Sequence, residues 1–147
     1  MLDIKSRIGA VVLATTVVSG GALALASPVS AAYTCADNQV CLYKNSDFTG
    51  SVYVLPKVTL SSGATIFCAR DLSASKYSDG SSVSDTVSSV VNNSNSVLFL
   101  YENKNSGGKH MGIAGGYRLW NLDNVQVFDS SGHETRESFN DRASTAC

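Results

Sequence analysis

The sequence predicts an all-β domain, an antiparallel sandwich or barrel, preceded by an N-terminal segment that is removed. Three observations carry the prediction. Short runs rich in Val, Tyr, Phe and Leu recur along the chain (SVYVL, VSSVV, SVLFLY, KHMGI, NVQVF), separated by Gly, Ser, Asn and Asp, which is the pattern of strands punctuated by turns. No window of about a dozen residues carries the apolar stripe of an amphipathic helix. Finally, one phrase is written twice, CLYKNSDFTGSVYVL from Cys41 and LYENKNSGGKHMGI from Leu100, which predicts two copies of one supersecondary unit.

The N-terminus has Lys5 and Arg7 ahead of an apolar run that closes on Ser30, Ala31 and Ala32. That arrangement is a secretory signal peptide with cleavage after Ala32. A retained membrane anchor is the competing reading, but Gly20 and Gly21 interrupt the run and a small-residue exit follows at once. The predicted mature chain is residues 33–147, a length that suits one domain with a modest core. Removing Lys5, Arg7 and Asp3 from the 11 basic and 12 acidic residues leaves nine against eleven. A slightly acidic chain without a basic stripe makes nucleic acid and anionic membrane poor partners, and a monomer is expected.

All four cysteines, Cys35, Cys41, Cys68 and Cys147, lie in the exported part, where disulfides form and persist. Three pairings are open to four cysteines. Proximity favours Cys35 with Cys41, leaving Cys68 for Cys147. Zinc ligation is disfavoured, because no CxxC pair exists and His110 and His133 lack finger-like spacing.

Three segments depart from strand character. Pro56 to Ser82 is long for a strand connection and reads as a decorated loop or as one with an extra strand around Thr65 to Cys68. NNSNS, Asn92 to Ser96, is a turn or linker between halves. The stretch from 129 to 147 reads as a polar tail that would fray unless Cys147 fastened it.

At an offset of 58, the two phrases align Leu42 with Leu100, Tyr43 with Tyr101, Asn45 with Asn103 and Gly50 with Gly108. In the first copy Tyr43 and Phe48 are placed to stack across a folded hairpin, while Gly50 can take a positive φ that a Cβ resists. In the second, Ser106 stands where the second aromatic belongs, so its hairpin packing is expected to be relaxed and any site using both halves lopsided. A further element, SDTVSS, puts Asp85, Ser88 and Ser89 on one short segment before Val90 and Val91. The second-half counterpart of VSSV, Val87 to Val90 within and just after this element, is read as LDNV, Leu122 to Val125.

The Y-x4-F-x-G phrase and the D-x-x-S-S element resemble the βγ-crystallin fold, in which two four-stranded Greek keys intercalate. With the export signal, the opening C-x5-C-L-Y and the terminal cysteine, the chain resembles the secreted bacterial peptidase inhibitors of family I36. The resemblance implies a first key at about 40–91 and a second at about 97–128. It also implies a secreted protein that acts by binding an extracellular endopeptidase. The segments expected to touch the enzyme are the Cys35 to Cys41 loop and Ala69 to Ser82, with Arg70, Leu72 and Tyr77 as pocket-filling side chains.

The alternative is a calcium-binding extracellular module. Calcium-type βγ-crystallins use an N/D-N/D-x-x-S/T-S signature, and calcium takes six to eight oxygen ligands. Asp85 and Ser88 would serve in one half, although Ser84 replaces the first acidic position. The same residues also suit plain turn fixing through hydrogen bonds to nearby backbone. No cofactor is otherwise required. An enzyme is not expected: His110 and His133 are the only usual bases, and neither belongs to a catalytic motif. Trp120, Phe99, Tyr101, Tyr117 and Phe128 suit either a carbohydrate platform or the core and its margin.

Overall fold

The computed structural model describes residues 32–147; nearly all of the proposed signal peptide lies outside them. The first sheet has four antiparallel strands in the order β2-β1-β5-β8, with β1 at Val40–Tyr43, β2 at Val52–Val54, β5 at Ser89–Asn92 and β8 at Arg118–Leu119. The second has five, in the order β10-β9-β7-β6-β11: β6 is Leu98–Asn103, β7 Gly107–Ile113, β9 Val125–Phe128, β10 Glu134–Glu137 and β11 Thr145–Ala146. A separate two-stranded ribbon joins β3, Lys57–Thr59, to β4, Thr65–Phe67.

Alternation along the strands builds the core. Val40 and Leu42 of β1, Val90 of β5, Leu98 and Leu100 of β6, and Met111 and Ile113 of β7 point inward and are buried, as period-two side chains on facing sheets must be. Leu55, Leu72, Tyr77, Val83 and Val87 of the first half and Leu122, Val127, Phe139, Ala143 and Ala146 of the second belong to the same buried cluster.

The halves interlock. β8 belongs by sequence to the second half, yet it pairs with β5, Val90 opposite Leu119 and Val91 opposite Arg118. Conversely Ala69 of the first half makes an isolated bridge to Ala146 of β11, with hydrogen bonds of 2.7 and 3.1 Å in the two directions. Each half therefore donates its third strand position to the other's sheet.

This topology corrects two expectations. The segment 129–147 is more than a polar tail: Phe139, Ala143 and Ala146 are fully buried, and β11 pairs with β6 through Thr145–Tyr101 and Ala146–Leu100. It is β11, not NVQVF, that closes the second key beside β6. β9 and β10 form an added hairpin on the outer edge of β7, joined there by His110 opposite Phe128. In the first half the matching connection is only a turn closed by Lys76 opposite Ser82, with Ser78 N donating to Val52 O at 2.9 Å.

Candidate functional site

At each hairpin tip the backbone is held in the left-handed region at three positions. Asp47, Phe48 and Gly50 have φ of 57°, 57° and 73°, and Asn105, Ser106 and Gly108 have 56°, 62° and 77°. A Cβ at Gly50 would lie 2.7 Å from Asn45 Nδ2, and one at Gly108 would lie 2.7 Å from Asn103 Nδ2, so glycine is required in both places for conformation and for space. Only the first tip has an aromatic pair, with Tyr43 and Phe48 edge to face at 6.0 Å.

The tips are locked by hydroxyls arriving from the closing strands. Ser89 Oγ donates to Asn45 O at 2.6 Å and accepts from Phe48 N at 3.1 Å. Thr145 Oγ1 lies 3.0 Å from Asn103 O and 2.7 Å from Arg70 O, and accepts from Ser106 N at 3.4 Å. Ser88 N donates to Tyr43 O at 3.0 Å, and Ser144 N to Tyr101 O at 2.9 Å. The true counterpart of SDTVSS is therefore NDRAST, Asn140 to Thr145, and LDNV is not. NDRAST lies 56 residues after SDTVSS, close to the offset of 58 that relates the opening phrases. That near-equality was the available signal.

The two elements meet across the interlock. Asp85 N donates to Ala143 O at 2.9 Å, and Asp141 N to Val87 O at 3.2 Å, with both aspartates at positive φ. Ser144 Oγ donates to Asp85 Oδ1 at 2.9 Å, and Ser84 Oγ to Asp85 Oδ2 at 3.1 Å. Ser88 Oγ donates to Lys44 O at 2.9 Å and lies 3.5 Å from Asp141 Oδ1. Asp85 and Ser88, expected to share one cluster, are thus each bonded to a residue of the other half. Among the described residues no three His, Cys, Asp or Glu side chains gather as a metal-binding group. The oxygens here come from carboxylates, hydroxyls and carbonyls, the hard donors that calcium prefers, though each pair supplies only part of a full shell.

The expected peptidase contacts divide. Arg70 is exposed. Leu72 is fully buried and Tyr77 is 3% exposed, both within the core, so neither can fill an enzyme pocket. Burial pushes the Tyr77 phenol up to about 12, and its hydroxyl donates to Thr86 O at 3.1 Å. The sequence misleads here because a loop with Gly, Ser and Asp on its surface is fastened by two apolar side chains turned inward. The Cys35 to Cys41 loop is pinned from outside: Asn38 N donates to Asn93 O at 3.0 Å and Asn93 Nδ2 to Cys35 O at 2.9 Å.

The aromatics also separate. Tyr101, His110 and Phe128 stack across three strands, with centroids 5.3 and 5.8 Å apart and planes within 30° and 27°, and Phe99 packs at 6.2 Å from Tyr101. Rings stacked on one another cover their facing surfaces, so the ladder stitches the strands together. Trp120 and Tyr117 are exposed outside this ladder.

One feature has no partner among the described residues. The β3–β4 ribbon bonds only within itself, Lys57 opposite Phe67, Val58 opposite Ile66 and Thr59 opposite Thr65. Its tip is a tight turn, with Gly63 N donating to Leu60 O at 2.9 Å and Leu60 N to Ala64 O at 2.8 Å. Every residue from Pro56 to Thr65 is exposed. The root is fixed: Leu55 is buried, Cys68 N donates to Pro56 O at 3.1 Å, and Cys68 is joined to Cys147. The other disulfide joins Cys35 to Cys41.

Two Greek keys that exchange strand positions, each with a glycine-locked tip held by a hydroxyl, define a βγ-crystallin-type domain. A solved structure described as "Evolution of the eye lens beta-gamma-crystallin domain fold" aligns with a TM-score of 0.52 at 18% identity, over 80% of this chain and 90% of the other, a likeness of fold. The profile of peptidase inhibitor family I36 matches residues 29–113, more than half of the chain, and the chain belongs to that family. A search of curated proteins finds no match.

Proposed function

We propose that the chain is a secreted inhibitor that binds an extracellular endopeptidase and is not itself an enzyme. The observation that carries the reading is the family I36 match over residues 29–113. Physical chemistry supports it. Two disulfides and an interlocked core hold the surface segments in one conformation, so little ordering cost accompanies binding, and disulfide usage suits an oxidising compartment. Incubating residues 33–147 with a panel of secreted metallo- and serine endopeptidases, with and without calcium, and measuring residual activity tests it. Stoichiometric loss of activity in at least one enzyme is expected; slow cleavage of the chain with no inhibition anywhere would reject it.

A second reading, a calcium-binding extracellular module without inhibitory activity, is favoured by the crossed pairs Asp85 with Ser144 and Asp141 with Ser88. Each pair joins the two halves and would supply part of an ion's shell, with the Lys44 carbonyl beside Ser88, so an ion at either pair would clamp one half to the other. Isothermal titration with calcium decides it: absence of heat and of any thermal shift at millimolar calcium removes this reading.

A further inference from the structure

We propose that the β3–β4 ribbon, residues 57–67, is the element that enters the peptidase cleft, with Leu60 at its tip seated in an apolar subsite beside the scissile-bond position. The inference rests on the inhibitory reading and adds to it the contact surface and the specificity class of the enzyme. An endopeptidase cleft is concave, so its partner must be convex. Among the other exposed large apolar side chains, Phe99 lies on β6, Val97 directly precedes that strand, and Tyr117 and Trp120 flank the two-residue β8, whereas Leu60 caps a projecting turn whose neighbours through Ala64 are all exposed.

The ribbon is shaped for insertion. It is extended and pairs with neither main sheet, so its outer edges are free to pair with the substrate-binding strand of a cleft, as extended peptides do. Hollows of about 220, 330 and 470 Å³ flank its root, and Phe67 lines all three. Space beside the ribbon admits the rims of a cleft. Phe67 packs against the core and lies under Lys57 Nζ at 5.4 Å, which anchors the root while the tip stays free.

Chemistry narrows the enzyme class. From Val58 to Ile66 the sequence is VTLSSGATI, without a charge, and Val58 and Leu60 are each 39% exposed. A subsite that selects Arg, Lys or Asp side chains finds nothing here to pair with its own charge, and a buried unpaired charge is costly. An apolar subsite is filled by Leu60. The class is therefore endopeptidases that select medium-sized aliphatic residues.

The test compares residues 33–147 with Leu60→Asp, Val58→Asp and, as a control on the exposed face of β9, Gln126→Asp. Each is assayed against an apolar-selective metalloendopeptidase and an apolar-selective serine endopeptidase, and thermal melts check that each is folded. Leu60→Ala replaces any aspartate variant that melts early. The proposal expects wild type and Gln126→Asp to inhibit alike, and Leu60→Asp to weaken inhibition at least about 100-fold, the scale of a hot-spot loss. Inhibition by wild type and by both ribbon variants within about threefold overturns the ribbon assignment and leaves the inhibitory reading standing. A wild type that inhibits no enzyme in the panel rejects the inhibitory reading itself, and the ribbon assignment falls with it.

Discussion

The two hairpin tips share a backbone and differ in what packs on it. Phe48 and Ser106 sit at φ of 57° and 62°, but only Phe48 meets a tyrosine, while Tyr101 turns to stack on His110. The aromatic pair is therefore not what shapes the tip. Positive φ at Asp47 and Asn105, the glycine three residues on, and the hydroxyl of Ser89 or Thr145 shape it, and these are present in both halves. Ser106 in the place of an aromatic leaves the second tip without the ring pair of the first, as expected, yet the chain follows the same path. The second sheet has its aromatic ladder on the outer face, where the first sheet instead carries Cys35, Tyr43, Val52 and Val91 packed together, with Tyr43 Oη donating to Tyr33 O at 2.9 Å.

The strongest way to break this near-equivalence is through the disulfides. Cys35–Cys41 spans 6 residues and Cys68–Cys147 spans 79. Closure of the longer loop restricts the unfolded chain more, by roughly 4 kcal/mol against about 2 on the chain-entropy estimate. Replacing Cys68 and Cys147 by Ser is expected to lower unfolding free energy about twice as much as replacing Cys35 and Cys41, measured by urea denaturation. Equal losses would place the second half's stability in its packing and not in its terminal bond.

A sharper probe of backbone identity is the pair Gly50→Ala and Gly108→Ala. Each forces a Cβ into a positive-φ position and against an asparagine amide 2.7 Å away, at a cost of about 1–3 kcal/mol. The two should destabilise alike, within about 0.5 kcal/mol, in thermal or urea melts. A clearly smaller cost at Gly108 would mean that the second tip has relaxed in backbone as well as in packing.

The smallest effect separates the halves by pH. Only the second has an ion network on its added hairpin: Glu137 bonds Lys109 at 2.7 Å and Arg142 at 2.9 Å, and Arg142 bonds Glu102 at 2.6 Å. Lys109 first, then Arg142, holds the Glu137 carboxyl down from 4.5 to about 2, and Arg142 lowers that of Glu102. A carboxyl depressed by folding adds stability above its unfolded value, and that stability is lost as pH falls through the folded one. Acidification from about pH 4.5 toward 2 should lower the melting temperature of wild type slightly more than that of Glu137→Gln. The difference is small because the network is exposed and screened. Identical acid profiles would mean that Glu137 adds nothing measurable.

Much of the architecture was legible because it is written in periodicity. Val40–Tyr43, Val52–Val54, Ser89–Asn92, Leu98–Asn103, Gly107–Ile113 and Val125–Phe128 coincide with or fall beside the apolar runs or the opening phrase, and a strand around Thr65 is one of the two readings that the Pro56 to Ser82 connection allows. Four strands were not legible. Lys57–Thr59 is a short exposed strand that exists only as the partner of Thr65–Phe67. Arg118–Leu119 and Thr145–Ala146 are too short to show a period and are strands only because another segment pairs with them. Glu134–Glu137 is a polar edge strand with no apolar alternation. The crossed Asp and Ser pairs were half legible: SDTVSS stood out before an apolar pair, whereas NDRAST lay in a stretch whose composition reads as tail. Its buried members, Ser144 and Thr145, owe their burial to partners far away in sequence. Burial of Leu72 and Tyr77 was illegible for the same reason, since isolated apolar residues in a polar loop carry no directional signal.

The exchange of strand positions has a temporal side. Ala69 has no partner until Ala146 exists, β5 gains its outer neighbour only when Arg118 and Leu119 have been made, and the longer disulfide needs Cys147. Neither half can complete its sheet while the other is missing, so a nascent chain that has not reached Thr145 to Cys147 stays open. Nor can one half be deleted and leave the other's sheet complete.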